Sequence, residues 1–303
     1  MSRTVSPLTG KVYGVERVCS AWGVPRSSFY NEHNSKPRED EEPSAKKKRG
    51  PRPKIADEKL LAFIKRDLAA SPFTGEGHRK VWARLKFGQG IAVSRKRVFR
   101  IMRENNLLSP YRRPQMPPSD HDGEIITSEP NVMWGTDGAK VFTCEGGWGW
   151  IFVNVEHWNS ECMGWHVTKK GDRFAALEPV SMGVASEFGS VERGIARGLS
   201  LRTDHGTQYL ADHFQNQVKA WGMTPSFAFL EQPQTNGVAE RFIRTLKEQA
   251  IYGRTFNTME EVRQAVAEFV ELYNNEWLIE KNGYLSPRQA REAYYIREIE
   301  AAA

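Results

Sequence analysis

Three acidic residues in the second half of the chain stand where one predicted element gives way to the next. Asp137 lies in an apolar strand between Gly135 and Gly138, Asp204 ends the strand-like stretch LSLRTD, and Glu240 falls in the first turns of a helix after PQTNG. Sixty-six residues separate the two aspartates, and thirty-five separate Asp204 from Glu240. Each acid alone has an ordinary explanation, such as an Asx turn at Asp204 or a solvated helix position at Glu240. The prediction of a shared site therefore depends on their spacing and contexts together.

The chemistry open to three such acids is metal-dependent reaction at a phosphodiester. Two divalent ions about 3.5–4 Å apart can activate the attacking oxygen and neutralise the leaving one. Carboxylate oxygens are hard ligands that select Mg²⁺ or Mn²⁺. Without cations, three clustered acids repel one another, and the pKa of at least one must rise. We therefore predict that Asp137, Asp204 and Glu240 are catalytic residues and the ligands of two Mg²⁺ or Mn²⁺ ions.

The elements that must position these acids form an α/β pattern over residues 126–255. Three consecutive strands are predicted in NVMWGTDGAKVFT, GWGWIFVNVEHW and ECMGWHVTKK, followed by a helix in FAALEPVSMGVASEFG. Strands in LSLRTD and MTPSFAF then alternate with a helix in QYLADHFQNQVKAWG and a helix from Gly237 past Gln249. This order predicts a mixed sheet with helices on its faces. Residues 256–303 are predicted to form a C-terminal helical segment.

Four tryptophans and one further acid accompany the predicted strands. Trp148, Trp150, Trp158 and Trp165 are interpreted as core and sheet-face packing, with base stacking as the alternative. Glu156, at the end of the second strand, is a candidate for a fourth acid of the site.

The first part of the chain is predicted to be helical and basic. Residues 1–33 read as a helix-turn-helix, with a first helix from Val12 to Ala21, a turn at Gly23 and a second helix opened by Pro25; a plain helical hairpin is the alternative. Residues 34–54 are rich in proline and charge and are expected to be a linker. Either phosphate binding or a solvated tether fits its basic run Lys46, Lys47, Lys48 and Arg49.

Residues 55–108 are predicted to form a second helical DNA-binding domain. Ser94 is a good N-cap for a helix whose buried stripe would be Val98, Ile101 and Met102. Basic side chains crowd the start of this helix, where they can enter a major groove or grip phosphates; a solvated cationic face is the alternative. These predicted DNA contacts are Arg95, Lys96, Arg97 and Arg100. Residues 109–125 read as a second linker.

The net charge of +6 is unevenly distributed. Residues 1–115 hold 26 Lys and Arg against 11 Asp and Glu, a balance of +15, whereas residues 116–303 hold 17 against 26, a balance of −9. The basic part favours DNA as a partner, and the acidic part fits DNA better if cations mask its carboxylates. Three distant cysteines indicate a reducing compartment. With no run of 18 apolar residues to span a membrane, a cytoplasmic location is expected.

Four stretches carry a resemblance to a known family. WGTDGAKVF, LRTDHGTQYL, QTNGVAERFIRTLKEQ and GHRKVWARLKFGQGIAVSRKRVFRIMRENNL resemble the OrfB transposases of IS-three family insertion sequences, which are related to retroviral integrases. The resemblance implies an RNase H-like integrase core, two-metal catalysis, and strand transfer of element ends into DNA. It assigns the three acids as metal ligands and Lys247, seven positions beyond Glu240, as a DNA contact near the reacting phosphate. After LYNNE the chain departs from the family's Arg-Pro-His and reads Trp277-Leu278-Ile279.

Further contacts and partners follow from the same reading. DNA contacts are expected near the acids at Gln208, Asn236 and Arg244, although Gln208 and Asn236 can equally cap turns. The expected partners are double-stranded element ends and target DNA, with a homo-oligomer assembling on them near the bacterial nucleoid. No leucine-zipper stretch occurs in the sequence, and in this family an upstream-frame protein supplies it. Two alternatives are a domesticated, non-catalytic DNA-binding protein and a nuclease of the same fold that only hydrolyses.

Overall fold

A computed structural model of the protein describes residues 3–34, 54–110, 127–227 and 236–302. The chain divides into two compact units, Met1–Lys54 and Ile55–Ala303. The basic run at 46–49 and most of the predicted second linker lie outside the described residues. Within the described ranges, no helix has the length and apolar character needed to cross a membrane.

The first unit contains the predicted pair of short helices. α1 spans Gly14–Ala21 and α2 spans Arg26–Asn34. Gly23 lies between them at a φ of +63°, a left-handed conformation that glycine adopts without strain. α1 begins two residues later than predicted because Val12 pairs with Val5 in an antiparallel bridge.

The second unit opens with three helices around their own apolar core. These are α3 (Asp57–Ala70), α4 (His78–Ala83), which continues as a π turn over Arg84–Gly88, and α5 (Arg95–Glu104). The predicted cap is confirmed, since the Ser94 hydroxyl accepts a hydrogen bond from the Arg97 N–H at 3.3 Å. The predicted buried stripe is confirmed as well, and it packs against α3 and α4.

A five-stranded mixed sheet forms the centre of the second unit, in the order β3-β2-β1-β4-β5. The strands are β1 (Met133–Thr143), β2 (Gly147–Glu156), β3 (Cys162–Thr168), β4 (Ser200–Thr203) and β5 (Thr224–Phe227). The first three form the predicted antiparallel meander, whereas β4 pairs parallel to both β1 and β5. β4 pairs with Met133–Gly135 of β1, so the carboxyl end of β4 lies beside the middle of β1.

Helices cover both faces of this sheet. They are α6 (Arg173–Phe188), α7 (Thr207–Leu210), α8 (Asp212–Ala220), α9 (Gly237–Leu246) with a π turn over Lys247–Ile251, α10 (Met259–Glu276) and α11 (Pro287–Ala302). One apolar core lies between the sheet and α9 with α10, and the other between the sheet and α6 with α8. The predicted single helix in QYLADHFQNQVKAWG is wrong, because Ala211 is extended, at φ −62° and ψ 134°, and separates α7 from α8.

The interpretation of Trp148 as a packing residue is also wrong. Its side chain is 63% exposed and lies opposite the exposed Phe142 near the turn of the β1–β2 hairpin. Strand alternation fixes which face a side chain occupies, but only the packing of other elements decides whether that part of the face is covered. Trp150, Trp158 and Trp165 are half-buried, in keeping with the packing role expected of them.

Candidate active site

The parallel pairing of β1 and β4 sets the two aspartates side by side. Gly135 of β1 is in register with Arg202 of β4. Asp137 lies two residues beyond Gly135, and Asp204 lies two residues beyond Arg202. Both acids therefore fall at the same level of the sheet, with Asp204 just beyond the end of β4 and Asp137 within β1, which continues to Thr143.

The start of α9 is held against β1 beside these acids. Asn236, which directly precedes the helix, donates a hydrogen bond from its side-chain amide to the Thr136 carbonyl at 3.2 Å. A Cβ atom at Gly135 would lie only 2.9 Å from the Asn236 Oδ1, so the glycine permits the close approach that its position predicts. Glu240 lies one helical turn beyond Asn236, in the first turn of α9, and its charge acts on Asp137.

Each aspartate is also part of a local hydrogen bond. The Gly138 N–H donates to the Asp137 Oδ1 at 2.7 Å, and the Gly206 N–H donates to the Asp204 Oδ1 at 2.8 Å. The second bond is an Asx-type turn. The ordinary explanation of Asp204 and its predicted role therefore coexist, because the turn uses one carboxylate oxygen and orients the other.

Electrostatic interactions join the three acids into one group. Burial raises the pKa of Asp137 to about 7, and the charges of Asp204 and Glu240 contribute in the same direction. Burial and the charge of Asp204 likewise raise the pKa of Glu240. The charge of Lys247 acts in the opposite direction on Asp137. The carboxyl groups thus repel one another, as expected for three acids that share a site.

We expect Asp137→Asn to stabilise the metal-free protein at pH 8 and to leave its stability nearly unchanged at pH 4. The Asp137 pKa is about 7 in the folded chain, against 3.8 for an unperturbed aspartate. The wild type therefore loses stability as pH rises through this range, whereas an amide does not ionise. After allowance for partial solvent exposure, the gain at pH 8 is about 2 kcal/mol in the free energy of unfolding, measurable by urea titration. A pH-independent difference would contradict it.

The carboxylate oxygens of the three acids are the kind of ligand that Mg²⁺ or Mn²⁺ prefers. Three carboxylates offer hard oxygen ligands, and their mutual repulsion is the kind that a bound cation relieves. As the side chains lie, the described residues contain no group of three acids, histidines or cysteines close enough together to hold an ion. Binding would therefore require side-chain rotations that draw the three carboxylates together.

The predicted DNA contacts near the acids differ in their environments. Lys247 is half-buried and close enough to Asp137 to lower its pKa. Arg244 is exposed and pairs with Glu248 at 3.2 Å. Gln208 is half-buried and lies against Gly206, since a Cβ atom added to Gly206 would be 2.6 Å from the Gln208 Nε2. Asn236 is 1% exposed, so in this conformation it positions α9 and does not face solvent.

The basic start of α5 is largely occupied by acids of the same chain. Arg97 and Arg100 both pair with Asp57, at 2.5 and 2.7 Å. Arg95 pairs with Glu280 at 3.0 Å, whereas Lys96 is exposed. DNA would have to compete with these acids for the arginines.

Three residues of this region were given no functional role from the sequence. Tyr209 is fully buried, and burial with the charges of Asp137 and Asp204 raises the pKa of its hydroxyl. The only sequence signal for it is the Gln-Tyr tail of LRTDHGTQYL. His157 is buried beside Gly135, and burial lowers its pKa to about 4. Lys140, three positions after Asp137 on β1, is exposed.

Glu156, the candidate fourth acid, has a structural role. Its carboxylate accepts hydrogen bonds from the Asn131 N–H at 2.7 Å, the Trp134 indole at 3.0 Å and the Trp158 N–H at 3.1 Å. It is fully buried, and Arg291 of α11 lies 3.7 Å away. These partners account for the carboxylate without a catalytic role.

Comparison with known proteins agrees with this architecture. A family model described as an integrase core domain matches residues 222–287, and one described as an HTH-like domain matches residues 57–115. The chain is 31% identical over 234 residues to the transposase InsD for insertion element IS2A/D/F/H/I/K of Escherichia coli, covering 73% of each protein. The InsD transposase for insertion element IS2D of Escherichia coli strain K12 matches with the same identity and coverage.

Solved structures of integrases are also similar. The HTLV-2 integrase catalytic core domain in complex with magnesium is 15% identical, with a TM-score of 0.40, and the match covers 54% of this chain and 97% of that one. The BIV integrase catalytic core domain is 20% identical, with a TM-score of 0.40, and the match covers 56% and 99%. The sequence identity and coverage shared with the InsD proteins decide the family: the chain belongs to the IS-three family of insertion-element transposases, with an HTH-like domain ahead of an RNase H-like integrase core.

Proposed function

We propose that Asp137, Asp204 and Glu240 carry the reaction of this DDE transposase, which cleaves DNA at insertion-element ends and joins the freed 3′-hydroxyl to DNA. The observation that supports this assignment most directly is the shared register of the two aspartates on β1 and β4, with α9 packed beside them. Two bound Mg²⁺ or Mn²⁺ ions, held by the three carboxylates, would activate the attacking oxygen and stabilise the leaving one.

The chain's own residues then orient the DNA. Lys247, near Asp137, would hold a phosphate next to the reacting bond, and Gln208 beside Asp204 would contact the same strand. The hydroxyl of Tyr209 is protonated at neutral pH, as it would be even at the ordinary tyrosine pKa of about 10. Buried close to both aspartates, it would help to position them.

The test of this function is incubation with DNA carrying candidate element ends and Mg²⁺, with nicked and joined products scored separately. We expect both products, with nicking preceding joining. Nicked product that never becomes joined would favour the hydrolysing nuclease. DNA binding without either product, under conditions in which a related transposase is active, would favour a non-catalytic DNA-binding protein.

The assembly that acts on DNA is proposed to be a homo-oligomer, since two element ends have to be held together. The HTH-like residues 57–115 would bind the double-stranded ends. The other proposed parts of each protomer are the HTH at 1–33, the linkers at 34–54 and 109–125, the core at 126–255 and the tail at 256–303. An upstream-frame protein with a leucine zipper would assist assembly. The proposed location is the bacterial cytoplasm, at the nucleoid.

We expect Glu280→Gln to strengthen binding to duplex DNA about two- to fivefold at constant salt. Glu280 pairs with Arg79 of α4 and Arg95 of α5, and an exposed ion pair contributes up to about 1 kcal/mol. Removing its charge frees both arginines for phosphates. Fluorescence anisotropy with a labelled duplex measures the effect, at one fixed salt concentration because counterion release dominates such affinities.

The matched control is Glu260→Gln. Glu260 is also exposed and ion-paired, but its partner Arg263 lies on the same helix, α10. An equal gain in affinity from both substitutions would mean that general charge, and not release of the α4 and α5 arginines, is responsible.

A further inference from the structure

A groove of about 410 Å³ opens between the β1–β2 hairpin and the segment that follows the π turn after α9. Its lining includes three cations, Lys140, Lys247 and Arg254, and the described residues that line it include no aspartate or glutamate. This composition is notable because residues 116–303 carry a negative balance of charge. The groove is therefore a local positive site on an acidic part of the chain.

Exposed aromatic rings accompany these cations. Phe142, Trp148 and Tyr252 also line the groove and are 53%, 63% and 62% exposed. The rings of Phe142 and Trp148 meet edge to face, with centroids 5.4 Å apart. An indole in such a contact is held in place while much of its surface remains open to a ligand.

Backbone hydrogen bonds fix the two walls of the groove to each other. The Cys144 N–H donates to the Phe256 carbonyl at 2.9 Å, and the Glu145 N–H donates to the Asn257 carbonyl at 3.0 Å. The Tyr252 N–H donates to the Lys247 carbonyl at 2.7 Å, which ties the second wall to the end of α9. The groove is thus preformed, which lowers the entropic cost of binding.

The groove adjoins the acids of the proposed active site. Lys247 belongs to its lining and also lowers the pKa of Asp137. Lys140, three residues beyond Asp137 on the same strand, faces the opposite side of the sheet, so Lys247 is the residue that links the groove to the acids. A strand whose phosphate is at the acids can therefore continue into the groove.

We propose that this groove binds unpaired bases of the DNA strand next to the reacting phosphate, an inference that rests on the proposed function. Cations that follow a backbone, interleaved with aromatic rings that stack on bases, are the combination by which proteins hold single strands. The aromatic rings and Arg254 suit either a protein or DNA, but lysine is depleted in protein interfaces, so the two lysines of the lining favour DNA. Trp148 and Tyr252 are the stacking rings, and Lys140 and Arg254 contact the phosphates.

The test compares a blunt duplex with one carrying a short single-stranded overhang that contains 2-aminopurine, in chelator, so that no cleavage occurs. Stacking in the groove quenches the 2-aminopurine fluorescence of the wild-type complex. We expect Trp148→Ala to abolish this quenching and to weaken binding of the overhang DNA about 5- to 150-fold. Binding of the blunt duplex should stay within about twofold. Lys140→Gln should lower the slope of log affinity against log salt by about 0.7.

The matched control is Phe174→Ala, on α6. Phe174 is 50% exposed and carries a nearby cation, with the Arg173 guanidinium 4.8 Å from its ring. Equal losses for Phe174→Ala and Trp148→Ala, or unchanged quenching in Trp148→Ala, would overturn the proposal. Tyr252→Ala provides a second groove variant, and thermal unfolding checks that each variant folds.

Two further outcomes separate this proposal from its alternatives. If Trp148→Ala dissociates an oligomer in sedimentation without DNA, and does not alter overhang binding, the groove is a protein contact and the proposal fails. If variants of the three acids lose cleavage but still quench the 2-aminopurine fluorescence, both the active-site proposal and the groove proposal stand. Normal cleavage in those variants would remove the proposed catalytic acids, and the metal-free binding data would still decide what the groove holds.

Discussion

Asp204→Asn is expected to lower the rate of Mg²⁺-dependent cleavage of element-end DNA on the order of 10³-fold or more, with DNA affinity nearly unchanged. The substitution keeps the shape of the side chain and can keep the Asx turn, in which the Gly206 N–H donates to its Oδ1. It removes a negative charge that acts on Asp137 across the parallel β1–β4 pair. Electrostatic stabilisation of developing charge is commonly the largest catalytic contribution, so the effect falls on the rate.

Asp212→Asn serves as its control, since Asp212 is an exposed aspartate in the first turn of α8. Single-turnover nicking and anisotropy on the same DNA separate rate from affinity. Cleavage by Asp204→Asn at the wild-type rate would remove Asp204 from the active site. A parallel loss of DNA affinity would instead point to a binding or folding role for this residue.

Arg291→Met is expected to lower the free energy of unfolding by about 3–5 kcal/mol. The guanidinium of Arg291 is almost fully buried on α11, with Glu187 at 3.0 Å, Glu156 at 3.7 Å and a hydrogen bond to Glu161. Methionine has a similar length but no charge, so the buried Glu156 and Glu161 and the half-buried Glu187 would lose their common cation. Breaking a buried ion pair from one side costs about this much because the remaining charge stays desolvated.

Arg288→Met, one turn earlier on α11, is the matched control. Arg288 pairs with Glu271 at 3.2 Å, and the two side chains are 41% and 67% exposed, so the expected loss is below about 1 kcal/mol. Urea unfolding measures both variants. Similar losses would show that the acids around Arg291 do not depend on its charge.

A second variant makes the Arg291 result specific. Glu161→Gln in the Arg291→Met background removes one of the acids left without a cation and should recover part of the lost stability. No recovery would indicate that the lost packing of the arginine stem, and not its charge, sets the cost.

The order of elements could be predicted from the sequence because it depends on local patterns. Alternation in the β1, β2 and β3 segments and the apolar stripe of α5 need no distant partner to be recognised. The break at Ala211 could not be predicted in this way, because nothing in QYLADH marks the chain as extended there. The ion pairs of the α5 arginines could not be predicted either, since their partners Asp57 and Glu280 come from distant parts of the chain.

By itself, the sequence determined which residues carry charge and hard oxygen ligands, the general order of strands and helices, and which family the chain resembles. Only the tertiary structure decided that Asp137 and Asp204 share one level of the sheet, that Asn236 is buried as a support for α9, and that Trp148 is exposed in a cationic groove. Composition and periodicity are properties of neighbours along the chain. Strand register, burial and electrostatic coupling arise between segments that meet only when the sheet and its helices pack.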